Sequence, residues 1–107
     1  MAIKTTEEIR EIVRRYYRLL LSEGFPLEKI YLFGSYSSNK QNEYSDIDLA
    51  VVLKKFSKDR FNTRLELMKY SRQFKEVIEP HPFLLSEFNK SDPFVSEIID
   101  TGIEVYS

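Results

Sequence analysis

The stretch from Tyr31 to Leu53, YLFGSYSSNKQNEYSDIDLAVVL, limits the folds open to this chain more than any other. An apolar run ends at Gly34-Ser35, a polar loop follows, and a second run re-enters as Asp46–Leu53, rich in β-branched and apolar residues. Both runs read as strands. The second holds Asp46 and Asp48 two positions apart, so on a strand their side chains share a face, with Cα atoms about 6.6 Å apart. Ile47, Leu49, Val51 and Leu53 take the opposite face and form the apolar anchor. The two acids therefore fall on the side that does not bury these residues.

The flanking sequence predicts helices on both sides of these strands. Thr5 and Glu8 have capping-box spacing, and Ile9, Ile12, Val13, Tyr16 and Leu20 recur at helical intervals until Gly24 and Pro26 stop them. Glu28–Phe33 alternates as a strand, Ser35–Ser38 has the length of one helical turn, and residues 39–45 are a polar loop. Thr63 with Glu66 is a second capping box, starting or reinforcing a helix that carries Leu65, Met68 and Phe74. Val77–Leu85 reads as a third strand that Pro80 and Pro82 confine to an edge or make irregular. Asp92-Pro93 caps a last helix, which Gly102 ends, and Ile103–Tyr106 is a short final strand. Alternating helices and strands imply an α/β (α+β) fold, a small mixed sheet with helices packed on it, in one domain spanning 1–107.

Composition excludes several classes. Sixteen basic against 17 acidic residues leave no electrostatic drive toward nucleic acid. Arg10, Arg14, Arg15 and Arg18 read as a solvated helix face. The absence of cysteine removes disulfides, thiolate chemistry and Cys-based metal sites. No apolar run approaches membrane-spanning length and the N-terminus lacks a signal-peptide pattern, so a cytoplasmic location is expected.

Two carboxylates converging to about 4 Å repel by roughly 4 kcal/mol at an effective dielectric of 20. A divalent cation removes that cost, and hard oxygen ligands suit Mg²⁺. Gly34-Ser35, between a strand and a helical turn, has the form of a phosphate cradle: glycine lets the backbone come close and the turn offers free N–H groups. Taken singly, an Asp-x-Asp is also compatible with a solvated strand edge, and a Gly-Ser with an ordinary turn. Together they are the two halves needed to hold a metal nucleotide.

The Gly-Ser, then ten residues, then Asp-Ile-Asp-Leu resembles the signature of the nucleotidyltransferase superfamily, and more narrowly that of the minimal, DNA polymerase beta-like nucleotidyltransferases. The similarity runs through IEPHPF (Ile78–Phe83) and EIIDTGIEVY (Glu97–Tyr106) and covers nearly the whole chain. The resemblance implies a nucleotidyltransferase fold and a two-metal transfer of a nucleoside monophosphate, AMP from ATP, to an acceptor hydroxyl. Asp46 and Asp48 would ligate two Mg²⁺ ions, and Gly34 and Ser35 would hold the β- and γ-phosphates. A third carboxylate on a neighbouring strand would bind the metal that activates the acceptor. Val77, Glu79 and His81 share a strand face by alternation, which makes Glu79 the candidate, with Glu76 and Glu87 behind it; a surface glutamate before a proline is the competing reading. Tyr36 is a candidate for base stacking and Lys40 for a phosphate contact. Tyr16, Tyr17 and Tyr44 read as core or rim residues, and His81, the only histidine, as a structural or exposed residue rather than a ligand.

Two departures from the resemblance matter. Many relatives carry an arginine after Gly-Ser, whereas this run is Gly34-Ser35-Tyr36-Ser37-Ser38-Asn39, leaving Lys40 as at best a partial substitute. Larger nucleotidyltransferases also add a helical domain that binds the acceptor. A second polypeptide or a second copy is expected to complete the site here, and the resemblance points to a small helical HEPN-type protein as partner. This chain would be the antitoxin of such a toxin–antitoxin pair and would modify a tyrosine of the toxin. The rival expectations are an antitoxin that acts by contact alone and a transferase acting on a small molecule.

Overall fold

The computed structural model describes residues 5–34, 46–75 and 77–107. Helix α1, Thr6–Ser22, begins with the expected capping box: the Thr5 hydroxyl accepts from the Glu8 N–H at 3.1 Å, and the Glu8 carboxylate accepts from the Thr5 N–H at 3.0 Å. Its apolar stripe, Ile9, Ile12, Val13, Tyr16 and Leu20, is buried, while Arg10, Arg14, Arg15 and Arg18 face solvent. Strands β1 (Leu27–Phe33), β2 (Ile47–Leu53), β3 (Ile78–Leu84) and β4 (Ile103–Tyr106) form one mixed sheet in the order β3-β2-β1-β4. β1 runs antiparallel to both β2 and β4. β2 and β3 are parallel, and helix α2 (Arg60–Ser71) makes the crossover that a parallel pair requires. A 3₁₀ turn, Leu85–Glu87, leads toward helix α3, Pro93–Thr101, whose Asp92 cap accepts from the Phe94 N–H at 2.9 Å. Among the described residues no helix is long and apolar enough to cross a membrane.

Each face of the sheet has its own core. Ile30, Leu32, Ile47, Leu49, Val51 and Leu53 pack against α1 and Leu67 of α2. On the other face Ala50 and Val52 are covered by Phe88 and by Val95 and Ile98 of α3. The Asp48 face of β2 is thus buried as well, everywhere except where the strand begins.

The second helix differs from its sequence reading. Asp59, not Thr63, is the cap, accepting from the Asn62 N–H at 2.8 Å, so the helix starts earlier and ends before Phe74. Its buried residues are Thr63, Leu67 and Ser71, while Leu65 is 45% exposed. Two of the three inward positions are hydroxyl residues, which conceals the inward face from a reading of apolar periodicity. Phe74 still reaches the core and meets the Tyr16 ring edge-on at 5.9 Å. β3 lies at the sheet edge, as its two prolines require.

Candidate active site

The site is the uncovered end of the face beneath α3. Asp48 is the second residue of β2, and the sheet register places Phe33 of β1 on one side of it and Glu79 of β3 on the other. Register partners point to the same side of a sheet, so Phe33, Asp48 and Glu79 share the α3 face, with His81 two residues farther along β3. Asp46 lies just before β2 and is exposed. The third acid expected from alternation is therefore level with the second.

Gly34 closes this corner. It follows β1 with φ +79°, a left-handed conformation that glycine adopts without steric cost, and a Cβ on it would stand 2.6 Å from Asp48 Oδ2. The backbone after β1 therefore lies close against the carboxylate on β2, where a Cβ would displace the Asp48 carboxylate and the positive φ favours glycine. Ser35, Tyr36, Lys40, Tyr44 and Glu76 lie outside the described residues.

His81 Nε2 is 3.6 Å from Asp48 Oδ1, close enough for electrostatic attraction but longer than a hydrogen bond. That nitrogen is buried without a hydrogen-bond partner among the described residues, and the ring leans on Phe33 at a centroid distance of 5.4 Å. Burial pushes the Asp48 carboxyl above its ordinary value; the neighbouring imidazole pulls the other way, and the charge of Asp46 adds a smaller upward push. Asp48 is thus a carboxylate short of positive charge. Glu79 is engaged from outside the sheet, with Arg64 Nη2 3.4 Å from Oε2. Arg60, one turn before Arg64, donates to the Pro82 carbonyl at 2.7 Å and pairs with Glu87. Both guanidiniums come from α2, on the far face, and wrap the edge strand to reach this side. Sequence reading missed them: their i, i+4 spacing was visible, but their reach depends on β3 being the sheet edge.

Asp46, Asp48 and Glu79 are all hard oxygen donors, the chemistry that suits a divalent cation, and Asp48 lacks a close cationic partner. Among the described residues no three acidic or histidine side chains are already gathered into a metal-holding cluster. Glu87, engaged by Arg60 and by the Leu84 N–H at 3.0 Å, is tied to the chain after β3.

A mixed sheet with an acid pair at the start of its second strand, a register-matched acid on the third and a glycine after the first fits a nucleotidyltransferase fold. Residues 7–107 match the polymerase beta nucleotidyltransferase family, and the chain belongs to it. Two relatives from Methanocaldococcus jannaschii, each named "Putative protein adenylyltransferase", are 31% identical over 101 residues and 41% identical over 103 residues; each match covers 94% of this chain and 97% of the relative. A "putative nucleotidyltransferase" of Sulfolobus solfataricus shares the fold with a TM-score of 0.65 at 18% identity, over 90% of this chain and 78% of that one. A complex of tri-AMPylated Shewanella oneidensis HEPN toxin with MNT antitoxin contains a chain matching at a TM-score of 0.56 and 20% identity, over 92% of this chain and 72% of its own. The protein is accordingly a nucleotidyltransferase.

Proposed function

We propose that the protein transfers AMP from ATP to a hydroxyl group on a partner protein, as the antitoxin of a pair whose toxin is a small helical HEPN-type protein. The observation that carries this reading is the corner itself: Asp48 level with Glu79 across a parallel strand pair, with Gly34 pressed on the Asp48 carboxylate. Asp46, Asp48 and Glu79 would hold two Mg²⁺ ions, and Gly34, Ser35 and Lys40 the triphosphate, with Tyr36 beside the base. When bound, the cations neutralise charge on the attacking and leaving oxygens of an in-line displacement.

The acceptor oxygen bonds to the α-phosphorus as the α–β bridging bond breaks. The products are an AMP ester and pyrophosphate, and solvent takes the hydroxyl proton. The chain's own residues supply placement. Gly34 brings the backbone turn against the acids, His81 faces the inner side of Asp48, and Arg64 holds Glu79 until a cation competes for it. The acceptor is assigned to a protein because the two relatives are named for protein adenylylation and a protein of the same fold is complexed with an AMPylated HEPN toxin.

A second reading is an antitoxin acting by contact alone, favoured by the absence of an arginine after Gly34-Ser35. The test is transfer of label from α-³²P-ATP with Mg²⁺ to a co-expressed helical partner, with Asp46→Asn/Asp48→Asn as control. Label on the partner that the control loses supports transfer. A stable complex that never takes label supports contact alone.

A further inference from the structure

At the free edge of β3 a groove of about 490 Å³ lies beside the reacting corner, lined by Arg60, Phe61, Arg64, His81, Phe83 and Phe94. We propose that this groove is where the acceptor docks, and that its occupant is an acidic polypeptide segment bearing an apolar anchor. The inference rests on the transfer reading above and names the partner chemistry of that same site.

Position comes first. His81 is at once a wall of the groove and the neighbour of Asp48, at 3.6 Å, so a segment lying in the groove ends beside the acids. Surface character comes second. Phe61 is 70% exposed and Phe94 49%, and Leu65, one turn beyond Phe61 on α2, is 45% exposed, so an apolar ridge flanks the opening. Charge comes third. Residues 58–75 hold six cations (Lys58, Arg60, Arg64, Lys69, Arg72 and Lys75) against Asp59 and Glu66, in a chain whose net charge is −1; Lys58, Arg60 and Arg64 are paired with Glu66, Glu87 and Glu79, while Lys69, Arg72 and Lys75 form no ion pair among the described residues. A basic, ridged strip on an otherwise acidic protein is complementary to an acidic partner surface.

The mode of binding follows from the edge. Pro80 and Pro82 offer no N–H, and Arg60 covers the Pro82 carbonyl, so an incoming chain gains little by adding as a strand. The occupant must bind through side chains, as a helix or loop does.

The experiment uses fluorescence anisotropy without nucleotide. The wild-type protein meets a labelled glutamate–tyrosine copolymer, a lysine–tyrosine copolymer and an oligoadenylate; the first is then supplied with α-³²P-ATP and Mg²⁺. The expected result is at least tenfold tighter binding of the acidic copolymer than of either alternative. That binding should weaken with added salt and fall at least tenfold in Phe61→Glu, a surface change whose folding is verified by thermal melting. Equal binding of the two copolymers, or undiminished binding by Phe61→Glu, would overturn the docking surface. Preferential binding of oligoadenylate that Phe61→Glu abolishes would overturn it in favour of RNA. Acidic-copolymer binding without label transfer would support the surface and count against the transfer reading, so the two failures are distinguishable.

Discussion

The two faces of strand β2 are built from one alternating run and serve opposite ends. Ile47, Leu49, Val51 and Leu53 face α1 and α2 and are sealed, none more than 1% exposed. Asp48, Ala50 and Val52 face α3, where the last two are sealed but Asp48 keeps 31% of its side chain in solvent. The difference is one of coverage, since α3 and Phe88 roof that face over Ala50 and Val52 and leave the beginning of the strand open. Burial is concentrated on the closed face, and the proposed chemistry lies at the open end of the other. Substitutions one residue apart should therefore have unrelated consequences.

The largest effect should come from Asp48→Asn, expected to lower the proposed AMP transfer at least about a thousandfold, because several kcal/mol of transition-state charge stabilisation would depend on a cation held there. Its thermal melt should show an intact, cooperative fold, and retained transfer would dismantle the acid assignment. Next door, Leu49→Ala should do the reverse, costing about 2–5 kcal/mol in a urea titration, as buried leucines do on truncation. A smaller loss would mean that the α1/α2 face is looser than its burial indicates.

Gly34→Ala sharpens the comparison by touching both properties. Placing a side chain at φ +79° costs about 1–2 kcal/mol, and the new methyl would push on Asp48 Oδ2, so both stability and transfer should fall. Stability alone falling would separate the turn from the chemistry.

The smallest effect is a pH dependence. Burial raises the Asp48 carboxyl above its ordinary value of 3.8, so the folded chain binds that proton more tightly than the unfolded chain. The contribution of Asp48 to stability is therefore best below the unfolded value and is lost as pH rises through the folded one. In EDTA, the melting temperature of Asp48→Asn relative to wild type should climb across that window and then level off. A relative melting temperature that falls with rising pH would reverse the assigned direction.

Much of this was legible in the sequence, for physical reasons that differ by element. The caps at Thr5 and Asp92 and the stripe from Ile9 to Leu20 are local signals, and they located α1 and α3. The alternation of Ile47 to Leu53 identified β2, and the prolines at 80 and 82 identified an edge. The second helix was misphased because Thr63 and Ser71 occupy inward positions that periodicity assigns to apolar residues. Within the site, the Asp pair and Gly34 could be read along the chain. That Glu79 stands level with Asp48, or that Arg60 and Arg64 come round the sheet edge, depends on long-range pairing that no local pattern encodes. His81, read as structural or exposed, is half-buried with its Nε2 buried beside Asp48, a placement that depends on the β2–β3 pairing.

The most direct measurement is calorimetric titration of ATP into wild type and Asp46→Asn/Asp48→Asn, each with Mg²⁺ and with EDTA. The expected result is binding by wild type with Mg²⁺ and its loss both in EDTA and in the double variant. ATP binding that is equal in all four would contradict a cation-dependent nucleotide site at the open end of this sheet.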